Sequence, residues 1–86
     1  MNISKTEQRV LHALALGGRI VVERAPNGRV AEAACITREG YPLEGCTLDI
    51  FRRLRTKRLI ESRAGAPYRI SRLGRARVAA RADNKG

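Results

Sequence analysis

The chain has 86 residues and a formal net charge of +10 at neutral pH, and it is 43% hydrophobic but only 3% aromatic, without tryptophan. A chain this short buries about two-thirds of its unfolded surface, which allows one modest core and leaves no space for a catalytic domain beside a recognition domain. The hydrophobic content excludes a disordered chain, and with Tyr41, Phe51 and Tyr68 as the whole aromatic set, an aliphatic core is expected.

Ser4-Lys5-Thr6-Glu7 has capping-box spacing, with Ser4 as N-cap and Glu7 reaching back. Val10, Leu11 and Leu14 recur at helical spacing until Gly17-Gly18, which predicts a first helix over 5–16. Residues 19–24 are β-branched and too short for a helix. Pro26-Asn27-Gly28 then marks a hairpin, since both Asn27 and Gly28 tolerate positive φ. The return strand is placed at 29–37, although 30–34 would suit a helix equally well on propensity. Residues 38–46, with Gly40, Pro42 and Gly45, read as a loop or a single turn.

Thr47 caps a predicted second helix over 48–58, with Ile50, Phe51 and Leu54 on its inward arc. The outward arc holds Asp49, Arg52, Arg53 and Thr56, with Arg55 at its edge. A short hairpin follows: strand 59–62, tip 63–67, strand 68–70. Ser71 caps a last helix running through Arg72, Ala76, Val78 and Ala79, which Gly74 weakens by about 1 kcal/mol relative to alanine. Residues 82–86 are expected to fray. There is no repeat and no linker, so residues 1–86 read as a single α+β domain. The order helix, hairpin, helix, wing hairpin, helix is that of a small winged-helix domain, in which the second helix enters a groove and the wing touches backbone.

The charge is unevenly spread. Up to Cys46, six basic side chains face five acidic ones; from Thr47 onward, twelve face only Asp49, Glu61 and Asp83. So one-signed a stretch points to a polyanion or an acidic protein surface as partner, and a merely solvated face would mix its signs. The candidate binding residues are Arg52, Arg53, Arg55, Thr56, Lys57 and Arg58 on or near the second helix, and Arg63 and Arg69 at the wing. Guanidinium grips phosphate or carboxylate with two prongs and also reads guanine edges.

Catalytic signals are weak. His12 lies on the outer side of the first helix, with no nucleophile or carboxylate pair beside it. Glu39 and Glu44 flank a loop without any phosphate loop, metal motif or nucleophile elbow. One histidine and two cysteines cannot build a four-ligand zinc site in one copy. Cys46, just before the Thr47 cap, has the option of a thiol pKa lowered by the helix N-terminus, although a half-buried structural residue is the default. A binding protein is therefore expected, not an enzyme, with no cofactor and no metal. No apolar leader segment and no membrane-length run is present, so a cytoplasmic location with reduced thiols and no membrane partner is expected. No heptad or large apolar stripe advertises an interface, and a monomer is expected.

Several segments together resemble the YjhX family of small bacterial proteins: Ile3-Ser4, Glu7-Gln8-Arg9, Leu11-His12, Gly17-Gly18-Arg19-Ile20, Arg38-Glu39-Gly40, Cys46-Thr47-Leu48, Phe51, Leu54, Lys57, Leu59-Ile60 and Pro67-Tyr68-Arg69-Ile70. The match runs to about Gly74; the last helix and tail match poorly, and nothing is carried onto Arg75, Arg77 or Arg81. The resemblance implies a toxin-like protein paired with an acetyltransferase-like antitoxin, which binds bacterial DNA topoisomerase I and prevents it from relaxing DNA. It supplies no residues for that contact. From the residues alone, a regulator binding double-stranded DNA stands beside this reading, with Arg52, Arg53 and Thr56 in the major groove and Arg63 and Arg69 on phosphates.

Overall fold

The computed structural model describes residues 3–85, with side chains through residue 79. In chain order the elements are α1 (Lys5–Ala15), β1 (Arg19–Arg24), β2 (Val30–Ile36), β3 (Pro42–Leu43), α2 (Leu48–Thr56), β4 (Ile60–Glu61), β5 (Arg69–Ile70) and α3 (Arg72–Lys85). Strands β1, β2 and β3 form an antiparallel sheet in that order, and β4 pairs with β5 in a second one. The expected fraying of 82–86 lies largely outside the description, which gives only the helical backbone through Lys85.

The capping box that opens α1 is complete. Ser4 Oγ accepts from the Glu7 amide at 3.1 Å, and Glu7 Oε1 accepts from the Ser4 amide at 3.1 Å. Beyond the box, Glu7 is 1% exposed, and its Oε2 stands 2.7 Å from Lys57 Nζ, fifty residues along the chain. Burial pushes the Glu7 carboxyl up. The hydrogen bonds from Lys57 and Ser4 and the Lys57 charge together outweigh it, holding the group below the usual carboxylate value.

The β1–β2 hairpin forms as expected, but its turn differs. Only Gly28 takes positive φ, at 84°, and Asn27 does not. Asn27 acts through its side chain instead, Oδ1 accepting from the Arg29 amide at 2.9 Å. The loop is closed by the Gly28 amide on Ala25 O and the Ala25 amide on Arg29 O, both at 2.8 Å, and the ladder shifts register between Glu23 and Arg24. Pairing with β1 is what excludes the helical alternative for 30–34. The loop expected over 38–46 contains β3, whose Pro42 and Leu43 pair with Ile36 and Cys35. A proline is tolerated there because an edge strand has a side that needs no N–H.

Helix α2 starts as expected, Thr47 Oγ1 accepting from the Ile50 amide at 3.2 Å, but it stops at Thr56, short of residue 58. Lys57 is its C-cap, and Arg58 turns left-handed at φ 61°. The Arg58 amide bonds Arg55 O at 2.9 Å and the Leu59 amide bonds Leu54 O at 3.0 Å, the Schellman stop that usually takes glycine. The chain then enters β4. After the tip, Tyr68 exchanges two backbone hydrogen bonds with Ile20 of β1, at 2.8 and 2.9 Å, fastening the second hairpin to the first sheet.

One cluster of buried side chains joins these elements: Val10, Leu11 and Leu14 of α1, Ile20 and Cys35 of the sheet, Ile50, Phe51 and Leu54 of α2, and Leu59, Ile60, Tyr68 and Ile70 around the small hairpin. The core is not purely aliphatic. Phe51 and Tyr68 meet edge to face, 4.9 Å between centroids and 86° between planes, so two of the three aromatics are spent on its centre.

Helix α3 is seated on the turn after α2. Ser71 Oγ donates to Arg58 O at 2.7 Å and accepts from the Gly74 amide at 3.0 Å, while the Ser71 amide donates to Leu59 O at 2.9 Å. Gly74 lies so close to this turn that a Cβ would collide with Leu59 O and stand 2.7 Å from Ile70 Cγ1. What propensity scores as a weakness of α3 is a condition of its docking.

Two expected outcomes follow. Gly74→Ala, worth about 1 kcal/mol of gain on helix propensity, instead loses about 1–3 kcal/mol by overpacking, measured by urea denaturation. Because the folded-state Glu7 pKa lies below its unfolded value, its contribution is complete above about pH 4.3 and is lost as pH falls through the folded pKa. Glu7→Gln should flatten that acid limb of the stability profile and cost about 1–3 kcal/mol at pH 7.

Candidate binding face

With Ile50, Phe51 and Leu54 turned inward, the polar residues of α2 are left on its exposed side. They do not form one uniform positive surface. Arg53 Nε lies 3.2 Å from Asp49 Oδ2, one helical turn back, and Lys57 is held by Glu7. Arg53 and Lys57 line a depression together with Ile3, Ser4 and Glu7, beside the start of α1. Two of the candidate cations on and at the end of α2 thus have carboxylate partners, although the Arg53 pair is well exposed and worth no more than about 1 kcal/mol.

Arg52 and Arg55 lie about 60° apart on the helix, away from that side. Together with Arg24, Gly28, Arg29 and Val30 they line a cleft of about 460 Å³ between α2 and the tip of the β1–β2 hairpin. None of these four arginines makes an ion pair among the described residues. Two are oriented by neutral contacts: Arg24 Nη1 donates to Gly28 O at 2.8 Å, and Arg55 Cζ sits 5.1 Å from the centroid of the buried Phe51 ring. Four guanidinium groups around one cleft with no lining carboxylate repel each other and create a positive field that an anion relieves.

The remaining candidates lie elsewhere. Thr56 is exposed on the last turn of α2, and Arg58 is exposed beyond the helix, in the left-handed turn. Arg63 is exposed near the hairpin tip, 3.9 Å from Glu61, and Arg69 is exposed on β5. Of the residues picked from sequence, the cleft gathers Arg52 and Arg55 only. It adds Arg24 and Arg29, which lie in the nearly neutral half of the chain. A signal for them existed: a hairpin around Asn27-Gly28 sets Arg24 and Arg29 on the two flanks of one turn, where Arg24 pairs with Val30 and the Ala25 amide bonds Arg29 O at 2.8 Å. Their acidic neighbours Glu23 and Glu32 face each other across the ladder and line a different groove, with Val21, Val22 and Leu48.

Cys35 and Cys46 are free and buried. Burial pushes the Cys46 thiol up to about 11, with the nearby Cys35 adding to the shift, so the lowering considered for a helix N-terminus does not occur. Burial raises Cys35 as well. His12, Glu39 and Glu44 are exposed. Among the described residues no group of three or more His, Cys, Asp or Glu could hold a metal ion, and no helix is long and apolar enough to cross a membrane.

A family model described as "Putative toxin of bacterial toxin-antitoxin pair" matches residues 1–85. Proteins carrying the family name UPF0386 are similar over nearly the whole length. One from Ruegeria sp. strain TM1040 is 62% identical over 85 residues, 99% of this chain and 100% of that protein. One from Rhodospirillum rubrum is 58% identical over 86 residues, 100% of this chain and 96% of that protein, and one from Caulobacter vibrioides is 56% identical over 85 residues, 99% and 93%. No solved structure matches. The matched span covers α3 and does not stop at Gly74. A toxin of such a pair has an antitoxin as its partner. On a match that spans residues 1–85, this chain belongs to the YjhX toxin family.

Proposed function

We propose that the chain is a toxin that acts by binding and not by catalysis, inhibiting bacterial DNA topoisomerase I in the cytoplasm through the basic face of α2 and the hairpins. An acetyltransferase-like antitoxin is the partner that would neutralise it. The observation that carries this reading is the pairing pattern on α2: Arg53 and Lys57 are tied to Asp49 and Glu7, while Arg52 and Arg55 stand without carboxylate partners beside Arg24 and Arg29. A surface that served only solubility would gain from mixing its signs there. An unneutralised face is suited to an acidic protein surface or to the path DNA takes through an enzyme that handles it.

A second reading is favoured by the way α2 passes directly into the β4–β5 hairpin, which Tyr68 fastens to β1. Taken as a winged helix, this arrangement would use α2 as the groove helix and carry Arg63 and Arg69 on the wing. It supports a transcriptional regulator binding double-stranded DNA.

Relaxation of supercoiled plasmid by purified topoisomerase I separates the two. The expected result is that the chain blocks relaxation and binds topoisomerase without DNA present, and that Arg52→Ala/Arg55→Ala raises the inhibitory concentration by about tenfold or more. Sequence-selective, salt-steep duplex binding with no affinity for topoisomerase would replace this reading with the regulator.

A further inference from the structure

We infer that the cleft lined by Arg24, Arg29, Arg52 and Arg55 is a binding site for the phosphodiester backbone of a nucleic acid strand. This goes beyond the topoisomerase reading and does not rest on it, because strand binding is measured with no topoisomerase present.

The site is assembled from two elements far apart in sequence. Arg24 and Arg29 flank the turn of the first hairpin, and Arg52 and Arg55 are one turn apart on α2. The lining contains no carboxylate, so nothing within it competes for the guanidinium donors. Each guanidinium has five N–H donors, and the single bond from Arg24 Nη1 to Gly28 O leaves most of that residue's set open. The Arg55 guanidinium lies over the Phe51 ring, a contact that takes up none of its five N–H donors, and guanidinium can grip phosphate oxygens with two prongs.

Two features select a strand over other anions. All four arginines are exposed, so a single small anion there would be well screened by water and salt, whereas a polyanion gains by releasing condensed counterions at each phosphate it seats. Apart from the arginines, the lining offers only Gly28 and the buried Val30. The cleft therefore offers guanidinium donors and no apolar centre, the contact set that a sugar-phosphate backbone takes up. The contact is to backbone, so it carries no base preference.

The test uses the full chain and a fluorescently labelled mixed-sequence duplex, with affinity followed by anisotropy between 50 and 200 mM salt. Arg24→Ala/Arg29→Ala and Arg52→Ala/Arg55→Ala should each weaken binding by about tenfold or more and reduce the salt slope by about two. The charge-matched Lys5→Ala/Arg9→Ala, on exposed α1 positions away from the cleft, should do neither. Circular dichroism melts confirm that each variant is folded, and a pair whose melt shows unfolding is replaced by Arg→Gln at the same positions. Equal losses in the control and the cleft variants would overturn the inference, as would no duplex binding by the parent chain. Inorganic pyrophosphate binding as tightly as the duplex would overturn it in favour of a small-phosphate site. Duplex binding untouched by the cleft variants, with topoisomerase binding lost in them, would assign the cleft to protein.

Discussion

Glu7 is the one deeply buried carboxylate among the described residues, and much of the molecule is arranged around it. One oxygen closes the capping box that starts α1, and the other holds the ammonium of the residue that ends α2. A buried charge is tolerated only when it is paired and hydrogen-bonded, so the start of one helix and the end of another are obliged to meet. That meeting fixes the rotation of α2 about its own axis. With Lys57 held on the α1 side, Arg52 and Arg55 are carried round to the hairpin side. The same residue ends the helix: immediately after Lys57, the left-handed Arg58 reverses the chain and presents its own carbonyl and that of Leu59 to Ser71. The seat of α3 therefore depends on where α2 is made to stop.

The resulting surface is divided by ion pairing, not by sequence segment. Pairing ties Lys57 firmly and Arg53 weakly to carboxylates and leaves Arg52 and Arg55 without one, and the hairpin supplies two more cations from the nearly neutral half of the chain. Net charge thus overstates what Thr47–Arg58 can offer and understates what residues 19–30 contribute. The orientation of individual guanidinium groups by a carbonyl and by an aromatic face reduces the freedom they must give up on meeting an anion. In a chain whose charge repels itself, such ordering lowers what an anion must offset to be seated there.

Local signals were legible in the sequence. The Ser4–Glu7 box, the Thr47 cap, the Asn27-Gly28 turn and the inward trio Ile50, Phe51, Leu54 all involve residues within a few positions of each other, and all form. What escaped depends on distant partners. Lys57 and Glu7 are fifty residues apart, and no periodicity links them. Gly74 reads as a helix weakness until Leu59 O is placed against it. Residues 42–43 make a strand only because β2 offers an edge. Arg58 conceals the end of α2, since a glycine there would have announced it. The Arg53–Asp49 pair was visible as an i,i+4 spacing, but it could not say which arginines remain without a partner.

The two buried thiols give the molecule a property unrelated to binding. With Cys46 pushed up to about 11 and Cys35 raised as well, almost none of either exists as thiolate at neutral pH, and both side chains are covered. Electrophiles can reach them only when the structure opens. Cys35 lies on the sheet and Cys46 just before α2, so their alkylation rates act as clocks for local opening, one on each side of the junction between hairpin and helix. A single cysteine introduced on the surface could carry a dye without first removing the native pair.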